Sequence, residues 1–330
     1  MFLRIFKGTG PGVIFLIFVT LVGVWINAII HPPVSLVVLY ETRPMPLYDL
    51  LKILVNNHQS LGVILSFLMV SVLSVLLVTF NTSVFFINER TFLPALLYVL
   101  CGGIFPEYQL LNPVLPASIF LIISIIRIME GYHITGTAYN FFDAGILISA
   151  GSLFYANLIW FGVLLIIAVV LLRTGNVKEL LISLAGLLTP YLITFGIYYV
   201  AGKDVGSLMR LFRDNLFTPS LGYSFTRLTT GALFFFCVLI LISIVQIFKY
   251  MNTKKIKSRK TFSLLIWTFL VSVIVYLLVP SVSVEMIWLT GIPVSYFIAH
   301  YFVFVKRKMV PEILFFLMLV FVVLIQVLHR

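Results

Sequence analysis

Two acidic residues lie close together in a chain that carries few charges. Glu41 and Asp49 belong to the segment LYETRPMPLYDLLKILV at 39–55, which separates two apolar runs that are each long enough to cross a membrane. A carboxylate at a membrane surface can act as a general base or orient a substrate hydroxyl. We therefore take Glu41 and Asp49 as candidate catalytic residues. The alternative is that both are solvated side chains on the polar face of a helix.

A group of basic residues forms a second candidate site. Arg210 and Arg213 are three positions apart and would share one face of a helix. Together with Lys203 they can hold the phosphate or pyrophosphate of a lipid carrier, because guanidinium groups bind phosphate oxygens in pairs. The alternative is that these side chains reach out to ordinary phospholipid headgroups.

The sequence shows no pattern for a metal ion or another cofactor. No histidine has a second metal-type ligand three or four positions further on, and no two acids are adjacent. The glycine-rich stretch GTGPG at 8–12 lacks the lysine of a phosphate-binding loop. His300 lies in an apolar run near Tyr296 and Tyr301, which makes it either a functional candidate or a neutral histidine with a hydroxyl partner. We expect neither a metal nor a cofactor.

The composition decides the class of protein that must position these residues. The chain has 330 residues, of which 62% are hydrophobic and only 10% are charged. A soluble domain usually has about a quarter charged residues, so this chain lacks the charges to cover a water-facing surface. It is predicted to be an all-α, polytopic transmembrane helical bundle. The net charge of +11 then indicates contact with membrane lipids rather than with nucleic acid.

We predict a single integral membrane domain over 1–330 with about eleven spans. The segments between 91 and 172 are short and can be tilted or partly re-entrant, which makes the count uncertain by about one. Cys101 and Cys237 lie in apolar runs and are expected to be small buried side chains. The predicted spans are 13–31, 61–80, 91–105, 113–129, 143–156, 157–172, 179–200, 228–248, 261–279, 286–305 and 310–328.

The distribution of basic residues predicts the orientation. The runs KKIKSRK at 254–260 and VKRK at 305–308 fall on the same side of the membrane as the N-terminus. Because Lys and Arg concentrate in cytoplasmic loops, we expect a cytoplasmic N-terminus and a periplasmic C-terminus in the inner membrane of a bacterium.

Two long loops on the outer side indicate the working face of the protein. The loops 32–60 and 201–227 are far longer than simple helix connections. Within them, 47–55 and 203–217 repeat apolar residues every three or four positions, which predicts interfacial amphipathic helices. The same face carries four more acids, at Glu107, Asp204, Asp214 and Glu285.

The arrangement resembles the GT-C superfamily of membrane glycosyltransferases. The resemblance rests on Glu41 and Asp49 in LYETRPMPLYDLLKILV after a first span, and on the pattern FFDAGILISAGSLFYANLIWFGVLLIIAVVLLRTGNVKELLISLAGLLTPYL at 141–192. It covers roughly 1–230 and is a likeness of pattern rather than of a motif. It implies a catalytic acid in the first outer loop. Since that loop has no acidic pair, a metal-dependent enzyme is disfavoured, and a metal-independent transferase or an inactive relative of one remains open.

The chain is more closely similar to an uncharacterised family of Bacteroidota polytopic inner-membrane proteins. The shared runs are PEYQLLNPVLPASIFLIISIIRIME at 106–130 and FDAG, SLFY, RTGNVKE and LTPY between 141 and 200. That resemblance implies a membrane location but no activity.

Three functions remain open from the sequence. The first is transfer of a sugar from a polyprenyl-phosphate carrier at the outer face, in envelope glycan assembly. The second is a non-enzymatic subunit or scaffold of an envelope assembly or secretion complex, with a membrane or periplasmic protein partner. The third is a transporter of a lipid or small solute, which would need polar residues in the middle of its spans.

Overall fold

The computed structural model describes residues 2–32, 43–55, 58–87, 89–132, 138–173, 177–220, 223, 225–305 and 309–328. All regular structure in these residues is helical. Three short 3₁₀-helices span Pro106–Gln109, Ala156–Gly162 and Val284–Met286. The α-helices are α1 (Phe2–Phe6), α2 (Pro11–Ile30), α3 (Pro46–Val55), α4 (Gln59–Val84), α5 (Leu93–Gly102), α6 (Val114–Glu130), α7 (Ala138–Ser152), α8 (Val163–Arg173), α9 (Val177–Val200), α10 (Val205–Phe217), α11 (Arg227–Met251), α12 (Ile256–Leu278), α13 (Ile287–Phe304) and α14 (Met309–Leu328).

Among the described residues, seven helical segments are long and apolar enough to cross a membrane, which confirms the predicted class. They are α2, α4, α9, α11, α12, α14 and α13 together with the 3₁₀-turn before it. The other four predicted spans, at 91–105, 113–129, 143–156 and 157–172, are occupied by the shorter helices α5, α6, α7 and α8. The chain between 91 and 172 is thus the irregular part of the bundle, as its sequence predicts.

Successive helices run between two ends of the bundle. At one end the loops contact each other through Leu47 N–H, which donates to Leu153 O at 3.1 Å, and Ser220 N–H, which donates to Pro280 O at 2.9 Å. We call this the cap end, because α3 and α10 lie there. At the other end, which we call the far end, Leu3 N–H donates to Glu312 Oε1 at 3.3 Å.

Helices α5 and α13 form the centre of the bundle. Every residue of α5 is buried. In α13 and the 3₁₀-turn before it, 78% of an 18-residue apolar stretch is buried. The two helices meet where a Cβ on Gly102 would lie 2.2 Å from the indole ring of Trp288. Tyr98 Oη also donates to Trp288 O at 3.0 Å. The residue at 102 must therefore be glycine for this ring to pack in the core.

Helix α9 lies at the edge of the bundle. Only 11% of an 18-residue apolar stretch of α9 is buried. The buried residues of the helix form one narrow stripe at positions 179, 183, 186 and 190. A Cβ on Gly186 would lie 2.2 Å from Phe142 O, and a Cβ on Gly145 would lie 2.4 Å from Ser183 O. The backbones of α7 and α9 thus touch through two glycines, which is a common way for membrane helices to associate.

This contact predicts a position-specific effect of adding one methyl group to α9. Gly186→Ala should destabilise the protein by about 1–3 kcal/mol, because the new Cβ meets a backbone oxygen that cannot move aside. Gly196→Ala in the same helix is the matched control, since a Cβ there meets nothing within 4 Å. The check is thermal unfolding in one detergent. Equal melting temperatures for the two variants would contradict the contact.

Candidate functional site

Helices α3 and α10 both pack against one apolar cluster at the cap end. Both amphipathic helices predicted from the sequence are present, at Pro46–Val55 and Val205–Phe217. Their apolar faces share one small cluster built around the buried residues Met45, Tyr48, Leu111 and Ala156. The cluster places the polar faces of two segments that are about 160 positions apart in sequence on the same end of the molecule.

Local chemistry fixes where the two helices begin. Pro46 is the first residue of α3, where proline needs no hydrogen-bond partner for its nitrogen. Tyr48 then anchors the helix by donating to Leu111 O at 3.1 Å. Asp204 caps α10, and its side chain accepts from Gly206 N–H at 2.9 Å.

Buried amides connect α10 to the bundle. Asn157 Nδ2 donates to Asn215 O at 3.4 Å and lies 3.0 Å from Ser281 Oγ. Asn215 Nδ2 donates to Arg43 O at 3.1 Å, and Ser281 Oγ donates to Leu216 O at 2.9 Å. Asn157, Asn215 and Ser281 are buried. They connect the segments before α3, after α7, at the end of α10 and after α12 into one hydrogen-bonded unit.

Removal of the Asn157 side-chain amide should make local unfolding of α10 more frequent. Asn157→Ala leaves Asn215 O without this donor in a buried site, so we expect faster cleavage by trypsin after Arg210 and Arg213. Ser207→Ala is the control, because Ser207 is exposed on α10 and its hydroxyl donates to Asp204 O at the N-cap of the same helix. Cleavage of both variants at the wild-type rate would show that α10 does not depend on the amides.

The candidate residues from the sequence lie on exposed surfaces at this end. Asp49 is exposed on α3. Arg210 Nη2 lies 3.2 Å from Asp204 Oδ2, and Arg213 Nη2 lies 3.4 Å from Asp214 Oδ1. Both arginines and Asp204 are solvent-exposed and Asp214 is partly exposed, so both pairs contribute little stability.

The remaining two residues predicted from the sequence are Lys203 and Glu41. Lys203 Nζ lies 5.3 Å from the centre of the Tyr198 ring. Glu41 lies outside the described residues. The ion pair that joins the start of α3 to α10 is one that the sequence does not indicate, between Arg43 and Asp214.

A buried carboxyl group lies beneath the two helices. Glu285 is 1% exposed. Its Oε1 accepts from Ser283 N–H at 3.2 Å and from Tyr155 Oη at 3.4 Å, and its Oε2 accepts from Ser283 Oγ. Tyr108 Oη lies 3.3 Å from the same serine oxygen. Burial, followed by the Glu285 charge, raises the pKa of Tyr108, so this phenol is a protonated donor at neutral pH.

A second carboxyl group lies next to this network and is partly exposed. Tyr223 Oη donates to Glu107 Oε1 at 2.8 Å. Burial raises the pKa of Tyr223, and so does its hydrogen bond to Glu107. The Tyr223 ring packs on Phe105 at 5.5 Å, on Phe225 at 4.9 Å and on Tyr108 at 6.2 Å between ring centres. A carboxyl, a phenol and an aromatic surface thus meet at one point.

An apolar groove of about 230 Å³ runs beside this point. It lies between α11, α12 and the start of α13, and two of its walls are the Phe105 and Phe225 rings that Tyr223 touches. The remaining lining residues are Leu233, Ser272, Val273, Tyr276, Leu277, Val284, Met286, Ile287 and Thr290.

Sequence patterns do not single out Glu107 and Glu285 as site residues. Both belong to the acids of the predicted outer face, but they lie in short turns rather than in the long loops. The available signal was the position of Glu285 at the edge of an apolar run, where an ionisable residue is unusual.

A family profile matches residues 43–329, which is most of the chain. The chain belongs to the DUF6427 family. This is a family of unknown function. No curated protein and no solved structure matches the chain. The matched residues of this DUF6427 protein include α3, α10, Glu107 and Glu285.

At the far end of the DUF6427 protein, two buried polar residues, Lys254 and His300, contact the same two aromatic rings. Lys254 Nζ lies 4.6 Å from the centre of the Phe304 ring and 5.3 Å from that of Phe262. Within the described residues, no carboxylate pairs with this buried lysine. Burial lowers the pKa of Lys254 to about 8.

His300 contacts the same two rings, at 4.7 Å from Phe304 and 5.1 Å from Phe262. It is fully buried, and among the described residues neither ring nitrogen has a hydrogen-bond partner. Of the two alternatives for His300, the one with a hydroxyl partner is not found among the described residues: the nearby Tyr296 Oη donates to Leu77 O at 2.7 Å.

The lysine predicts a pH-dependent stability. Because folding lowers the pKa of Lys254 from 10.5 to about 8, the burial cost is full below pH 8 and fades as the pH rises towards the ordinary lysine value. Lys254→Met should raise the melting temperature by a few degrees at about pH 7 and by less at about pH 10. Lys255→Met is the control, since that neighbouring lysine is exposed. A gain that does not change with pH would contradict the assignment.

Proposed function

We propose that the protein is a GT-C-like membrane enzyme that acts on a polyprenyl-phosphate-linked sugar. The observation that carries the proposal is the joint packing of α3 and α10 on one cluster, linked by the Arg43–Asp214 pair. This packing puts a candidate base on one helix and candidate phosphate ligands on the other at the same end of the bundle. The process is the assembly of envelope glycans.

The proposed reaction needs only groups that the chain supplies. A carboxylate, Asp49 or Glu41, takes the proton of an acceptor hydroxyl as its oxygen bonds to the anomeric carbon of the sugar. The bond from that carbon to the carrier phosphate breaks, and the phosphate leaves with the electron pair. Lys203, Arg210 and Arg213 stabilise the added negative charge on the phosphate. Their exposed ion pairs with acids are weak and can be exchanged for a phosphate.

The proposed topology has about eleven crossings and places the cap end in the periplasm. Supporting this, the chain alternates between the two ends through α5 to α8, although these helices are short. The lysine-rich run at 254–260 lies at the far end, beside the start of α12. With the basic residues in the cytoplasm, the protein lies in the inner membrane of a bacterium with its N-terminus inside.

A scaffold that docks a protein partner is the second candidate. It is favoured by Leu50, Ile53 and Leu54, which α3 exposes on the side away from its own cluster. A transporter ranks third, since the buried serines and threonines of the spans mostly bond to their own helices.

The test of the enzyme is complementation of a bacterial strain that lacks the gene, with membrane levels checked by immunoblot. Asp49→Asn or Glu41→Gln should lower surface glycan about 100-fold or more, with the lipid-linked sugar accumulating, because removal of a general base has effects of this size. Glu130→Gln is the control, because Glu130 is an exposed acid at the far end that pairs with Arg127.

The outcomes separate the candidates. Full glycan in both acid variants rules out this mechanism. If Ile53→Asp then abolishes glycan while the acid variants retain it, the exposed face of α3 acts by docking a partner, and the scaffold is correct.

A further inference from the structure

The groove beside Glu107 has the chemistry of a site for a lipid chain. Its walls come from membrane-spanning helices and are apolar apart from Ser272, Thr290 and the Tyr276 hydroxyl. Ser272 Oγ and Thr290 Oγ1 already donate to the backbone of their own helices. An occupant of these walls therefore meets almost only carbon atoms, as the chain of a membrane lipid does.

The cap-facing end of the groove has a different chemistry. Tyr223 stacks against Phe105 and Phe225, which both line the groove, and its hydroxyl holds the Glu107 carboxyl. Both Glu107 and Tyr223 remain partly exposed. A ligand whose chain lies in the groove would place its headgroup against this pair.

The charge of the pair selects the kind of headgroup. A carboxylate accepts hydrogen bonds and repels a phosphate, and a buried second carboxyl, Glu285, lies behind it through Tyr108 and Ser283. Hydroxyl groups satisfy a carboxylate, and the faces of aromatic rings pack against the C–H groups of a sugar. Arg227, exposed at the start of α11, which also carries the groove residue Leu233, adds a cation to those of α10 for the phosphate between chain and sugar.

We infer that this groove, together with Glu107 and Tyr223, is the binding site for the sugar-bearing lipid. The chain of the lipid lies between α11, α12 and the start of α13, and the sugar hydroxyls donate to Glu107. The identity of the ligand rests on the proposed function. The position of the site rests on the groove and on Glu107 and Tyr223 at its cap-facing end.

Tyr108 connects the end of the groove at Glu107 and Tyr223 to the buried Glu285 network. Its hydroxyl contacts Ser283 at 3.3 Å, so its ring is fixed by the Glu285 network. The same ring packs against Tyr223 at 6.2 Å. The buried network therefore positions the surface that the headgroup meets, and Glu285 is a positioning residue that does not touch the ligand.

The experiment measures binding to the full-length protein in phosphatidylcholine nanodiscs immobilised on scintillation beads. Two tritiated probes are compared, polyprenyl-phosphate-glucose and polyprenyl phosphate without the sugar, with empty nanodiscs as background. Thr290→Trp and Leu233→Trp each fill the groove and should weaken both probes at least about 10-fold. Glu107→Gln and Tyr223→Phe should weaken only the glucose-bearing probe, by about 10-fold.

A second groove provides the matched control. It has a volume of about 470 Å³, lies between α2 and α14, and is lined by Gly23, where a Cβ meets nothing within 4 Å. Gly23→Leu narrows that groove and should leave both probes at wild-type affinity. The melting temperature of every variant is measured to exclude misfolding. A loss of binding counts only if Thr290→Trp and Leu233→Trp both show it, because one variant alone could misfold.

The outcomes are separable from those of the glycan assay. Wild-type affinity in both groove-filling variants overturns the inference even if Asp49→Asn abolishes glycan. Loss of both probes in Gly23→Leu alone moves the site to the other groove and overturns it too. If the groove variants lose binding while the acid variants keep full glycan, the site is correct and the transferase mechanism is wrong.

Discussion

The structure depends on one constraint, which is that polar backbone groups away from water must find partners inside the protein. A regular span satisfies its own groups, but the chain between α5 and α6 is interrupted within a buried region. There Asn112 Oδ1 accepts from Val114 N–H and Leu115 N–H at 3.1 Å each and so caps α6. Gln109 Nε2 donates to Val24 O at 3.2 Å, and Ser66 Oγ donates to Gln109 O. Interruption of the helices is possible only because these side chains are present.

The same constraint accounts for the concentration of polar residues at the cap end. The breaks after α5, after α7 and after α12 all fall there, and each brings side chains that complete the others. Asn157 comes from the second break and Ser281 from the third, and together they hold the end of α10. Short helices at this end leave room for two amphipathic helices above them, so the cap follows from the interruptions below it. A bundle of uninterrupted spans would have neither the network nor the support for α3 and α10.

The sequence predicts the parts of this structure that depend on local patterns. The helices at Pro46–Val55 and Val205–Phe217 begin and end within two residues of the predicted ones, because the spacing of apolar residues and the turn residues are local. Tyr223 and Glu107 are brought together across 116 positions, and Arg43 and Asp214 across 171. No periodicity specifies such pairs, since they depend on how several turns pack against each other. For the same reason the sequence does not predict that His300 packs against Phe262 of another helix and Phe304 of its own.

The charges at the cap end divide into an exposed and a buried set, and physical chemistry gives the sets different roles. The arginines of α10 are exposed and form pairs that water and salt screen, so exchange of an acidic partner for a phosphate costs little free energy. Glu285 cannot exchange its partners in this way, because separation of a buried carboxyl from its donors leaves it without solvation. Glu107 stands between the two sets, with one side held by Tyr223 and with partial exposure to solvent. A ligand that binds through Glu107 would thus gain from an orientation that the buried network has already fixed.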